Sequence, residues 1–115
     1  MIDIHGVIPA LVTPMNPDES VNEKELRNQV RRQIAAGVHG LFVFGTNGEF
    51  YALSEAEKLR VLEITVEENN GHLPVYAGTG CPGTADTVHL SRECEKIGAD
   101  ALSVPPGFRR IFRQW

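Results

Sequence analysis

Gly40-Leu41-Phe42-Val43-Phe44 runs into Gly45-Thr46-Asn47-Gly48-Glu49, and a few residues later Ser54-x-x-Glu57 opens an amphipathic stretch. The apolar run is too short for a helix and rich in aromatic and branched side chains, so it reads as a strand buried on both faces. The glycine-rich stretch breaks it, and Ser54 with Glu57 has the spacing of a capping box. Strand, loop and helix follow one another within one compact unit.

Working outward, the same unit recurs. Val7 to Val12 is a strand-like run ended by Thr13-Pro14, and Pro74 to Ala77 and Ala101 to Val104 are similarly short and apolar. Asn22, with Glu25 three residues on and Val21 and Leu26 as flanking staple, starts a helix whose stripe is Leu26, Val30 and Ile34 and whose stop is Gly37. In the second helix Leu59, Leu62 and Val66 are predicted to face inward before Asn69-Asn70-Gly71. The third is predicted to start near Thr84, bury Leu90, Cys94 and Ile97, and stop at Gly98 in a left-handed conformation. Strand starts about 30 residues apart are the spacing of βαβ units, which require a parallel sheet. Both an open doubly wound sheet and a closed (β/α)8 barrel satisfy this pattern, and both place function at the carboxyl ends of the strands.

Four segments lie at those ends: Thr13-Pro14, Gly45 to Glu49, Gly78-Thr79-Gly80 and Pro105-Pro106-Gly107. In the second, Gly45 and Gly48 allow close backbone approach, while Thr46 and Asn47 offer a hydroxyl, a carboxamide and amides suited to a carboxylate. The same residues also make a tight βα turn. Gly78-Thr79-Gly80-Cys81-Pro82-Gly83 matches G-x-G-x-x-G between a strand and a helix. A dinucleotide site would want its acidic residue at the end of the next strand, but Asp100 precedes that strand, and no Walker sequence occurs.

Composition excludes other classes. The 115 residues are 42% hydrophobic and 23% charged with a net charge of -4, an ordinary globular balance without the basic stripe that nucleic acid requires. No apolar run is long enough to span a membrane, and the two cysteines, Cys81 and Cys94, form no C-x-x-C pair; a cytoplasmic location with reduced thiols is expected. His5, His39, His72 and His89 show no metal-ligand spacing and read as surface or loop residues, so no metal is expected. The acidic residues read as solvated helix surface. The three lysines, Lys24, Lys58 and Lys96, lie among glutamates on helices, whereas a Schiff-base lysine must be desolvated at the reacting centre.

Gly-Val-Ile-Pro-Ala-Leu-Val-Thr-Pro-Met at Gly6 to Met15, Gly-Thr-Asn-Gly-Glu-Phe at Gly45 to Phe50 with Leu53-Ser54-x-x-Glu57 following, and Pro-Val-x-Ala-Gly-Thr-Gly at Pro74 to Gly80 resemble the dihydrodipicolinate synthase and N-acetylneuraminate lyase family of pyruvate-dependent class I aldolases. The resemblance covers Gly6 to Val104. It implies an α/β fold, the N-terminal three and a half β/α units of a (β/α)8 TIM barrel, truncated, in an enzyme family that joins or cleaves carbon-carbon bonds through a pyruvate enamine. It further implies no cofactor, a homo-oligomeric full-length assembly, and pyruvate or a related 2-keto acid as ligand. By the same resemblance Thr46 and Asn47 hold the keto-acid carboxylate, and Thr46 also stands at a proton-relay position. Asn47 replaces the family's more usual Thr or Ser. Gly45 and Gly48 shape the loop, Glu49 supports it from behind, and Ala10 lines the pocket floor.

The family pattern continues from the fourth strand into T-P-Y-[FY], with a catalytic tyrosine and the Schiff-base lysine on later strands. Here Val104 leads instead into Pro105-Pro106-Gly107-Phe108 and Arg109-Arg110-Ile111-Phe112-Arg113-Gln114-Trp115. Residues 1–104 are therefore expected to form the partial barrel and 105–115 a basic, aromatic tail. The tail reads either as the mark of a truncated or frame-shifted chain or as a short helix with Phe108, Ile111, Phe112 and Trp115 on one face. Two functions follow: a lyase fragment that keeps the carboxylate clamp but lacks the lysine and is inactive alone, or a non-catalytic interaction module that associates through its sheet edges or tail.

Overall fold

The computed structural model describes residues 5–45, 53–80 and 83–104. Their order is α1 (Glu23–Ala35), β1 (Leu41–Val43), α2 (Glu55–Asn69), β2 (Val75–Gly78), α3 (Thr84–Ile97) and β3 (Ala101–Ser103). The strands form one parallel sheet in the order β1-β2-β3, with Leu41 opposite Val75, Val43 opposite Ala77 and Ala77 opposite Leu102.

The first expected strand is only partly realised. Residues 7–12 lie along β1 with a single parallel bridge, Ala10 to Phe42, made by Phe42 N donating to the Pro9 carbonyl and Leu11 N to the Phe42 carbonyl. Pro9 has no amide to continue the regular ladder toward the amino end, where the next bond between the two segments is His39 N to the Val7 carbonyl at 2.8 Å.

Local signals in the sequence set the helix ends. The Asn22 side chain accepts from Glu25 N; at Ser54 the capping box is complete, with Glu57 N donating to Ser54 Oγ and Ser54 N to Glu57 Oε1. Gly37 follows α1 at φ 80, and Asn70 closes α2 in the left-handed region at φ 47. Gly98 ends α3 with φ 126, positive but outside the left-handed helical well expected for it.

All three helices cover one face of the sheet. Leu26 and Val30 from α1, Val61, Leu62 and Ile64 from α2, and Leu90 and Cys94 from α3 pack in one core with Leu11, Leu41, Val43, Val75 and Ala77. Leu59, Val66, Ile34 and Ile97 pack around it. A doubly wound sheet would send helices to both faces and reverse its strand order at a switch point; consecutive strands with helices on one side are the arrangement of a barrel wall.

Of the two alternating strand faces, Leu41 and Val43 are the helix-facing set, buried to 0% and 1% exposure. The would-be barrel interior instead carries Ala10, Phe42, Tyr76 and Ala101, placed there by the bridge and the strand register. Tyr76 is buried, and its hydroxyl has no hydrogen-bond partner among the described residues. Leu102 shares the helix side with Ala77 but lies at the sheet edge and is 40% exposed.

The charged helix surface is organised rather than merely solvated. Arg60 grips Glu23 with two bonds, Nη2 to Oε1 at 2.7 Å and Nε to Oε2 at 3.1 Å, tying α2 to α1. Arg27 bonds Glu67 and Glu68, and Arg31 bonds Glu68, along the same seam. No described helix is long and apolar enough to cross a membrane.

Candidate active site at the strand carboxyl ends

The carboxyl ends of residues 7–12, β1 and β2 meet in one place. Ala10 is exposed on the inner face, and its Cβ lies 3.6 Å from where a Cβ on Gly45 would stand. Two of the residues expected at the site are thus brought together. Thr46, Asn47, Gly48 and Glu49 lie outside the described residues, as do Cys81, Pro82 and the tail 105–115.

The chain enters the loop through a strained residue. Phe44 has φ 66, a conformation that bulky L-residues rarely adopt. Such strain costs on the order of 1–3 kcal/mol, and burial of a Phe side chain returns a comparable ~1.5–3 kcal/mol. Phe44 is 3% exposed in the helix-side core. On β2, a Cβ at Gly78 would come within 2.8 Å of the Phe44 carbonyl oxygen, so a glycine is needed for the two strand ends to approach.

Neighbouring elements fix these strand ends. Gln29, 8% exposed on α1, presents its carboxamide to the Val12 peptide: Val12 N donates to Oε1 at 3.0 Å, and Nε2 donates to the Val12 carbonyl at 2.9 Å. The amide thereby replaces a neighbouring strand just before Thr13. Pro14 O accepts from Asn22 N, which ties the first loop to the start of α1. Thr79, fully buried, donates its amide to Ser103 O, and its Oγ1 lies 2.7 Å from Ser91 Oγ on α3.

Among the described residues, the competing chemistries find no geometry here. Asp100 stands at the amino ends of β2 and β3, accepting from Val75 N at 2.8 Å and donating its own amide to Val75 O. It therefore lies at the opposite end of the strands from the Gly78–Gly83 loop. Lys24 and Lys58 ride on the first turns of α1 and α2, on the outer layer, and Lys96 pairs with Glu93 near the end of α3. The histidines have structural contacts: His39 Nδ1 accepts from Val7 N beside the His5 ring, His72 Nδ1 contacts Asn69 O, and His89 reaches Glu55. Among the described residues no group of three or more His, Cys, Asp or Glu could hold a metal.

Perturbed ionisation does not single out a catalytic group: in the loop before α1, a hydrogen bond from Ser20 holds the Asp18 carboxyl low, and the shifts of Glu23 and Glu68 belong to ion pairs between helices. A hydrogen bond from Arg60 holds the Glu23 carboxyl below its usual range, and Arg31, aided by Arg27, does the same to Glu68. Both are on the outer helices.

Sequence reading missed Gln29, the conformation of Phe44, the Phe44–Gly78 contact and the Thr79–Ser91 pair. Gln29 was detectable, as a polar residue between Leu26 and Val30 on a buried stripe. A positive φ at a phenylalanine has no such signature.

A parallel β/α wall with helices on one face and its backbone tightened at the carboxyl ends defines part of a (β/α)8 barrel, a fold whose sites generally lie at that face. The chain belongs to the Dihydrodipicolinate synthetase family, whose match covers residues 3–112 and so runs past Val104. It is 50% identical over 109 residues to the 4-hydroxy-tetrahydrodipicolinate synthase of Methanopyrus kandleri, covering 93% of this chain and 36% of that protein. Among solved structures it resembles the N-acetylneuraminate lyase from Fusobacterium nucleatum, with TM-score 0.81 and 37% identity over 86% of this chain and 34% of that one. It also resembles YagE, a prophage protein of the dihydrodipicolinic acid synthase family from E. coli K12 in complex with pyruvate, with TM-score 0.83 and 30% identity over 86% of this chain and 33% of that one. The chain spans about a third of the length of the relatives it matches.

Proposed function

We propose that this chain supplies the ligand-positioning part of a Schiff-base lyase or aldolase acting on pyruvate or a related 2-keto acid. The supporting observation is the turn at Phe44 and Gly45, closed against Ala10 at the carboxyl end of the wall, in a chain that resembles a family member solved with pyruvate. Thr46 and Asn47, next along the loop, hold the keto-acid carboxylate through hydroxyl, carboxamide and amide donors, and Thr46 stands where a proton is relayed. Gly45 and Gly48 give the loop its close approach, Glu49 supports it, and Ala10 forms the floor. Covalent chemistry requires a desolvated lysine, and Lys24, Lys58 and Lys96 all lie on the helices. The chain alone therefore positions a keto acid without forming the enamine.

Two measurements test this. Saturation transfer from the chain to the pyruvate methyl protons is expected, with an affinity no better than about millimolar, because a few hydrogen bonds of ~1 kcal/mol each act in a site open to water. Thr46→Ala should abolish it, and transfer that survives the substitution refutes the clamp. Borohydride reduction with pyruvate, followed by mass spectrometry, should leave all three lysines unmodified; a stoichiometric adduct on any of them refutes the division of labour.

A further inference from the structure

We infer that Phe44 and Gly78 act together as positioning residues that set the path of the keto-acid loop, an inference that rests on the reading of Thr46 and Asn47 given above. The chain leaving β1 is fixed at three successive points. The Phe44 side chain is anchored in the helix-side core. Its carbonyl oxygen lies against Gly78, where a Cβ would stand 2.8 Å away. The Gly45 backbone then rests on the Phe42 ring, with Cε1 2.9 Å from its would-be Cβ, and the far edge of that ring lies 3.5 Å from the would-be Cβ of Gly78. Both glycines thus close on the same ring from β1 and β2.

The β2 side of this lock is itself held. Gly78 pairs with Ser103, and Thr79 is tied to Ser103 O and Ser91 Oγ. Phe44 keeps its φ of 66 because its anchored side chain and its confined carbonyl together leave the peptide little room to rotate. Thr46 and Asn47 follow two and three peptide units on, so rotation at Phe44 redirects their donors. Hydrogen bonds weaken steeply as their angle falls, so a misdirected clamp loses ligand without loss of fold.

The test uses the full chain carrying Gly78→Ala. The added methyl meets backbone rather than a yielding side chain, so the Phe44 peptide must move. Saturation transfer to pyruvate is expected to fall roughly tenfold or more, as displacements of about an ångström at a site do. Far-UV circular dichroism and amide exchange in α1 are expected to stay unchanged, while a peptide spanning residues 44–49 exchanges several-fold faster. Undiminished transfer in the folded variant overturns the inference. If the parent chain gives no transfer, the reading of the site fails, and exchange alone decides: faster exchange over 44–49 supports the lock, and equal exchange overturns it. Should Gly78→Ala lose its helical signal, Phe44→Val takes its place, since a β-branched residue resists positive φ while remaining apolar. The same losses are expected there, and their absence overturns the inference.

Discussion

Replacing Gln29 should destabilise the chain out of proportion to its place on a helix surface. Its carboxamide makes two hydrogen bonds to one peptide, 3.0 Å from Val12 N and 2.9 Å to Val12 O, with the side chain 8% exposed. At ~1 kcal/mol net for each bond, Gln29→Leu, which preserves volume, is expected to cost about 2 kcal/mol. Gln29→Glu separates the two bonds. A carboxylate still accepts from Val12 N but faces the Val12 carbonyl, whereas the protonated acid can serve both. Burial and that carbonyl both raise the folded-state pKa of the introduced acid above its unfolded value of about 4.3. Its penalty is therefore small below that value and grows as pH rises through it. Urea unfolding followed by circular dichroism, at one chain concentration and at pH 4 and pH 7 beside the parent, reads both effects. A Gln29→Leu change within about 0.5 kcal/mol of the parent, or a Gln29→Glu deficit equal at both pH values, would refute the claim that this amide replaces a strand neighbour.

The carboxyls of Glu23 and Glu68 are held low by their arginines, so the stability they contribute is present above their ordinary value of 4.5 and is lost as pH falls through their lower folded values. Acid titration of Arg60→Ala should show a shallower loss below pH 4.5, the effect being small and salt-sensitive because these groups are exposed; an identical profile would count against it. Ser54→Ala removes one half of the capping box and should cost about 1 kcal/mol in urea unfolding with an unchanged slope. The chain is expected to self-associate through its open inner face and the edges at residues 7–12 and β3, with Val7 and Val12 63% and 54% exposed. A monodisperse monomer with one cooperative transition on size-exclusion chromatography and thermal unfolding would contradict that.

What could be read from the sequence was local. Asn22, Ser54 and Gly37 act within a few residues of themselves, so their chemistry fixes helix ends whatever surrounds them. Burial stripes were legible for the same reason, although α2 buries Val61, Ile64 and Thr65 as well as Leu62, because it lies between two other helices. The β1 loop stood out by composition. What holds it did not, because Phe44 and Gly78 are distant in sequence and their contact depends on the β1–β2 register. The first strand failed as a regular strand at Pro9, a residue whose missing amide can be read from the sequence but whose cost depends on which rung it occupies.

The placement of helices also bears on where a ligand can sit. In a doubly wound sheet the crevice opens where strand order reverses, and here the order β1-β2-β3 never does. A concave surface must then come from the inner face, whose side chains taper along the strands. At the amino end the Tyr76 ring and Ile8 crowd Gly40, with Tyr76 Cε1 only 2.6 Å from its would-be Cβ. At the carboxyl end Ala10, Gly45 and Gly78 leave little beyond the Phe42 ring. An aromatic plug below and a wall of small residues above make a cup that opens toward the Gly45 loop. A group placed on the outer helices, as Lys24, Lys58 and Lys96 are, is separated from that cup by the thickness of the sheet. The small residues at the carboxyl end therefore leave the open part of the inner face beside the Phe44–Gly45 turn, the end on which the proposed keto-acid reading depends.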